Sequence, residues 1–396
     1  MRTDQLIAGP AGAASPEILQ AVNTPRWAAN VTRSGSECAV HGWHNEVRER
    51  AMRTLAAFVQ DRCAEHVRGV PGADLMAGLI GEYVAGGKYL RSTFAYLGWL
   101  CGRTGDSDAG LRAAASMELL HAFALLQDDV MDSSSMRRGR PTAHVRLADW
   151  YRQQGAAGGA GRFGESAAIL LSDLCLVWAE EMLLQSGVSA AALGRARPYY
   201  DTLRSELAVG QFADLVYDAR RRPAMADVLD MIRRKSGNYT VRRPLELGAA
   251  LAGCSDAVLH ALGLYGGLVG EAFQLRDDLL GVFGPPSVTG KPDGADLHER
   301  KATSVTVLAV ELATAGQRAE LDRLAARDRL TEAEIACWRC LIEETGAVAR
   351  IEEMIETRVT AALASVRSAA VEGAPLDPFV ITALGELAVR ASDRVR

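Results

Sequence analysis

Leu119 to Pro141 reads LLHAFALLQDDVMDSSSMRRGRP. Residues 119–126 carry a single polar side chain, His121. Asp128, Asp129 and Asp132 then arrive together, with Arg137 and Arg138 just behind them. Turns that are apolar nearly all round mark a buried helix. Asp128 and Asp132 stand at i and i+4, so they share one helix face, and Asp129 lies about 100° round from Asp128. Like charges at this spacing repel, and a buried carboxylate without a counter-charge costs several kcal/mol. For an isolated run of this kind, an exposed acidic helix end would be explanation enough.

A second run removes that explanation. EAFQLRDDLLGVFG (271–284) repeats the plan, an apolar helix closing on Asp277 and Asp278, with Lys291 and Lys301 behind. Two such pairs would face each other across a cavity. Oxygen-only ligands with room for water suit Mg²⁺ rather than Zn²⁺. Mg²⁺ held by few carboxylates takes its other ligands from water and substrate phosphates. Arg137, Arg138, Lys235, Lys291 and Lys301 would meet the phosphate oxygens left free. The constellation therefore calls for a diphosphate substrate.

The rest of the chain agrees. It has 396 residues, 48% hydrophobic and 23% charged, enough for a packed core. A net charge of −5 argues against a nucleic-acid partner. Seven cysteines without framework spacing fit a reducing compartment, and Cys337-Trp-Arg-Cys340, a lone CxxC, completes no zinc site. The N-terminal residues have no apolar signal core, and no uninterrupted apolar run reaches membrane-span length, so a cytoplasmic protein is expected. Residues 1–44, rich in Ala, Gly, Ser and Thr, are expected to form a disordered extension. From 45 onward a 3.6-residue period predicts helices over 45–67, 73–85, 88–101, 108–132, 165–186, 189–218, 224–237, 255–282, 300–327, 331–345, 347–371 and 376–395. GAAGGAGRFG (155–164) reads as a flexible connection. Thr331 and Glu334 form a capping box. With no sharp linker, 45–396 reads as one all-α domain, a large helical bundle. VAGGKY (84–89) and VTGKPD (288–293) fail the phosphate-loop pattern and follow no strand.

These motifs together resemble the trans-isoprenyl diphosphate synthases, or polyprenyl synthetases. The resemblance spans about 45–396. GGKYLR (86–91), ELLHAFALLQDDVMD (118–132), RRGRP (137–141), GQFADL (210–215), KSG (235–237) and FQLRDDLLGVFG…GKPDGADLHERK (273–301) follow the family's order. It implies a helical bundle around a central cavity, a homodimer and three Mg²⁺ per site. Asp128 and Asp132 would bridge two ions to an allylic diphosphate, with Asp129 nearby; Asp277, supported by Asp278, would hold the third. Arg137, Lys235, Ser236, Gln274, Lys291 and Lys301 would meet the allylic diphosphate. Gly87, Lys88, Arg91, His121 and Arg138 would hold isopentenyl diphosphate. The chain departs from the pattern at Gly281, which stands where the second motif has its last aspartate. Tyr89 and Ser92 replace Arg and Pro, Ser236 replaces Thr, and Ser172 and Arg300 each replace Gly. None of these removes a group the reaction needs.

The resemblance implies head-to-tail condensation of isopentenyl diphosphate with an allylic diphosphate. Product length would be set beneath the first motif. Phe123 and Ala124 lie about 6–8 Å deeper along the helix than Asp128. An aromatic floor there, without an insertion in the motif, resembles geranylgeranyl (C20) synthases, so a mainly C20 product is expected. The alternatives are a C15 or longer product, a terpene cyclase on the same fold, and a non-catalytic subunit of a hetero-oligomeric synthase. A cyclase would not need Lys88, Arg91, His121 and Arg138, and a silent subunit would be expected to lose more acids. An unrelated helical diphosphate hydrolase would not carry the ordered basic motifs.

Overall fold

The computed structural model describes residues 42–102, 105–155, 158–219, 223–285, 294–327, 329–371 and 376–392. Of the extension expected to be disordered over 1–44, residues up to 41 lie outside them, as does Lys291, whereas Trp43 and His44 are helical and Trp43 is buried in the core. The helices are α1 (Trp43–His66), α2 (Ala73–Ala85), α3 (Leu90–Leu100), α4 (Asp108–Met131), α5 (Ala143–Gln153), α6 (Ala160–Leu184), α7 (Ala190–Ala219) and α8 (Met225–Ile232). A π-helix (Arg233–Arg242) follows, then α9 (Arg243–Leu251), α10 (Asp256–Phe283), α11 (Ala295–His298), α12 (Ser304–Leu312), α13 (Ala315–Ala325), α14 (Glu332–Glu344), α15 (Ala347–Val371) and α16 (Pro378–Ser392). Among the described residues the only strands are β1 (Met136–Arg137) and β2 (Arg140–Pro141), an antiparallel pair directly after the first acidic run. The all-α expectation holds.

Helix α4 is the centre. Its turns from Leu111 to Leu120 are buried on nearly every side, as their composition requires. It has the length and composition of a membrane-crossing helix, but two-thirds of that stretch (67%) is buried inside the protein, so it is a core helix. Ser107 caps its start by accepting from the Gly110 N–H. Helices α3, α6 and α1 pack around it. A second apolar cluster, built on Leu275, Leu279, Leu297, Val305, Leu308 and Trp338, joins the lower half of α10 to α11, α12 and α14.

Several elements differ from the sequence expectation. The single helix expected over 300–327 is two, α12 and α13. Thr303 caps α12 through the Thr306 N–H, and Thr314 forms a full capping box with Gln317. Two N-caps inside one periodic stretch stop and restart it. Helices α5 and α9 were not anticipated, and α6 begins at Ala160, inside the stretch read as a connection. The helix expected to end at 237 instead widens into the π-helix and continues as α9. A wide π turn swings its side chains off the α-helical phase, so a 3.6-residue period cannot track it. Glycines let this turn come into backbone contact with α10. A β-carbon on Gly270 would lie 2.7 Å from Gly237 Cα.

Candidate active site

Four separated segments converge on the end of α4. Asp128 is partly open, and three donors reach it. Lys235 Nζ is 3.4 Å from Oδ1, Gln211 Nε2 3.3 Å from Oδ1, and Arg137 Nη2 3.4 Å from Oδ2. Lys235, carried by the π-helix, also pairs closely with Asp214 of α7. One turn beyond Asp128, Asp132 accepts from Lys301 Nζ at 2.9 Å. Burial alone would lower the pKa of both ammonium groups. Asp128 and Asp214 around Lys235, and Asp132 and Glu299 around Lys301, more than offset it, so both pKa values are raised. Each carboxylate of the open face thus carries a permanent lysine cation.

Asp129 is placed differently. It was expected near the metals, but only 1% of it is exposed and it is spoken for. Tyr83 Oη donates to it at 2.6 Å, and Arg137 Nε to both its oxygens at 2.8 and 2.9 Å. The 100° offset from Asp128 turns it into the protein. Arg137, expected on the diphosphate, is the half-buried partner of Asp129 and lends Asp128 only its long contact. Burial opposes the Arg137 charge, and the Asp129 bond overrides it.

The second motif divides in the same way. Asp277 is exposed, while Asp278 is buried. Asp278 accepts from the Ser304 N–H at 2.9 Å, Ser304 Oγ at 2.7 Å and Gln274 Nε2 at 2.9 Å. Burial pushes its pKa up to about 7, against the lowering by those three donors. Asp278 therefore anchors the start of α12, and Gln274, expected on the allylic diphosphate, holds Asp278 instead. Ser236 is half-buried beside Lys235 on the π-helix.

The residues expected to hold isopentenyl diphosphate form a second basic region. Gly86 and Gly87 are shaped around Arg138. A β-carbon on Gly86 would overlap its guanidinium, with Cζ at 2.9 Å. Arg138 itself sits at φ 51°. Arg91 donates Nη2 to Thr240 Oγ1 at 3.0 Å and stacks 4.3 Å from the Tyr239 ring centroid, a cation–π arrangement. His121 is half-buried, and its Nδ1, itself buried, finds no hydrogen-bond partner. Burial, then the charges of Arg91, Arg138 and Arg137, hold its pKa well below the usual imidazole value. It is a neutral donor or acceptor facing three arginines. Lys88 is exposed at the rim. A cavity of about 270 Å³ opens beside this group, lined by Gly86, Arg137, Arg138, Arg140 and Arg146. Deeper on α4, Phe123 and Ala124 are half-buried against the main core.

Among the described residues no three acidic, histidine or cysteine side chains form a ready-made chelate. What α4 offers is two carboxylates one turn apart, already neutralised by lysines. That donor set fits a hard cation which takes most of its ligands from water and a bound anion. A polyprenyl synthetase family model matches residues 74–340.

The chain belongs to the polyprenyl synthetase family. As such it is a trans-prenyltransferase. A geranylfarnesyl diphosphate synthase of Aeropyrum pernix is 33% identical over 270 residues, 67% of this chain and 78% of that protein. A (2E,6E)-farnesyl diphosphate synthase of Mycobacterium bovis is 34% identical over 259 residues, 63% of this chain and 62% of that protein. Among solved structures, the geranylgeranyl pyrophosphate synthase of Corynebacterium glutamicum, complexed with isoprenyl diphosphate and magnesium, superposes with a TM-score of 0.82. It is 33% identical and the match covers 88% of this chain and 99% of that one.

The sequence reading left out Tyr83, Gln211, Asp214, Glu118 and Ser304. Two of these residues lie in the motif GQFADL (210–215). Its Gln211 and Asp214 stand three apart, one helical face, and meet Asp128 and Lys235. Tyr83 and Ser304 had no signal of their own, since their partners lie 46 and 26 residues away. Ser92, which stands where the family pattern has Pro, donates its N–H to Glu118 at 3.0 Å. A proline has no N–H to give there.

Proposed function

We propose that this prenyltransferase condenses isopentenyl diphosphate with an allylic diphosphate in a Mg²⁺-dependent reaction, with three ions per site and a mainly C20 product. The observation that carries the reading is the meeting of Lys235 and Lys301, from distant elements, with Asp128 and Asp132 at the end of α4. Such a set binds a diphosphate and its metals together. The relative crystallised with isoprenyl diphosphate and magnesium supports the same ligand class.

Asp128 and Asp132 would hold Mg²⁺ on one wall and Asp277 on the other; when bound, the ions supply positive charge that favours departure of diphosphate. Lys235 and Lys301, with Lys291, bind the allylic diphosphate and neutralise the leaving oxygen. Arg91, Arg138, Lys88 and neutral His121 fix the second diphosphate, which brings its double bond to the allylic carbon. The allylic C–O bond ionises, the double bond attacks, and the departing diphosphate takes the proton. The apolar turns of α4 below Asp128 exclude water from the cation.

Phe123 is the proposed floor of the tail cavity. The relatives include farnesyl and geranylfarnesyl synthases, so a C15 product is the nearest second reading. Homodimerisation is supported by the exposed apolar stripe Ile169, Leu170, Val177 and Leu184 on α6. The free thiols Cys63, Cys101, Cys175, Cys254, Cys337 and Cys340 support a cytoplasmic location.

The test incubates protein and Mg²⁺ with isopentenyl diphosphate and the C5, C10 or C15 allylic diphosphate, and measures products by mass. A C20 diphosphate is expected, with longer chains from Phe123→Ala. Unchanged chain lengths in Phe123→Ala would dismiss the floor. Hydrocarbon from the allylic substrate alone would replace the reading with a cyclase, and no turnover with any pair would favour a silent subunit.

A further inference from the structure

The two acidic motifs differ at one place. In the first, Asp132 stands four residues after Asp128; in the second, Gly281 stands four residues after Asp277. By i, i+4 spacing, position 281 is where α10 would present its second open carboxylate. That space is already filled. A β-carbon on Gly281 would overlap the carboxylate of Asp296, whose farther oxygen, Oδ1, is only 3.0 Å away. Asp296 belongs to α11 and is 8% exposed. It follows Gly294, which takes φ 64°, so the chain turns sharply just before it.

We propose that Asp296 supplies the carboxylate the second motif lacks, and that Gly281 is the vacancy which admits it. The inference rests on the diphosphate–Mg²⁺ reading of the site. Asp296 acts as a positioning residue: it places a negative charge on the α10 face of Asp277, one turn along, as Asp132 does for Asp128. The local chain favours this job. The Asp296 carbonyl accepts the Lys301 N–H at 2.9 Å, closing one short turn, and Lys301 Nζ reaches Asp132 at 2.9 Å. One turn therefore delivers a carboxylate to the second motif and an ammonium to the first.

The test measures Mn²⁺ binding by electron paramagnetic resonance in the presence of inorganic diphosphate, alongside thermal unfolding. Asp296→Asn keeps the shape and loses the charge, and should weaken Mn²⁺ binding at least about tenfold, as supporting carboxylates do elsewhere. Gly281→Asp alone should lower the unfolding midpoint, because two side chains compete for one space. Gly281→Asp with Asp296→Ala should recover most of the tenfold loss in Mn²⁺ affinity and the midpoint. Wild-type affinity in Asp296→Asn, or a double variant no better than Asp296→Ala, would overturn the inference while leaving the proposed function intact. A wild type that binds no Mn²⁺ with diphosphate would overturn both.

Discussion

The ends of α4 and α10 are two versions of one device. Each closes an apolar helix with two adjacent aspartates, and in each the first is open while the second is buried. Yet the buried members differ in chemistry. Asp129 has a cation, Arg137, and Tyr83. Asp278 has only neutral donors, Ser304 and Gln274. The first pair is a buried ion pair, the second a polar anchor with its proton affinity raised. Seven residues before the first aspartate the helices differ again. In α4 that place holds His121, facing the arginines. In α10 it holds Gly270, which admits the π-helix and hence Lys235. One motif brings ligands on its own helix, and the other makes room for ligands from elsewhere.

The sharpest way to break this comparison is to remove open and buried aspartates separately. Asp128→Asn should cut kcat by about 10²–10³, the scale of losing one transition-state charge stabiliser, with the fold intact. A variant with near-normal turnover would dissolve the distinction. Asp129→Ala should act on stability instead. It leaves half-buried Arg137 with only its long contact to Asp128, a loss of about 3 kcal/mol, the low end for a broken buried pair, read by denaturant unfolding. Asp278→Asn keeps an acceptor for Ser304 and should cost only about 0.5–1.5 kcal/mol. Equal losses at 129 and 278 would mean the ion pair and the anchor are energetically alike.

The smallest expected effect concerns His121. Its folded pKa is depressed by burial and by three arginines. Below the unfolded value of about 6.5, the unfolded chain binds the proton and the folded one does not. Stability at neutral pH is therefore progressively lost as pH falls through that value. His121→Asn should flatten the slope of unfolding free energy against pH just below 6.5. An unchanged slope would show that His121 is not held neutral.

Much of this was legible in the chain. The unbroken apolar turns of 119–126 announced α4, and the i, i+4 spacing put Asp128 and Asp132 on one face. The same geometry already turned Asp129 away, but which side of the helix faced protein depended on Tyr83, a contact across 46 residues. Gln274 pointed the same lesson. Its place in the motif suggested substrate, whereas its amide donates to Asp278 one turn along the same helix. The caps at Thr303 and Thr314 were readable and would have split the long helix. The π-helix was not, because its register is fixed by backbone contact between Gly237 and Gly270 rather than by any local pattern.

The most direct test of the central claim is stoichiometric. With Mg²⁺, isopentenyl diphosphate and an allylic diphosphate, one diphosphate should be released for each isopentenyl unit joined. Allylic diphosphate alone should release almost none. Equal release without isopentenyl diphosphate would contradict a site built to hold two diphosphates and join their carbon chains.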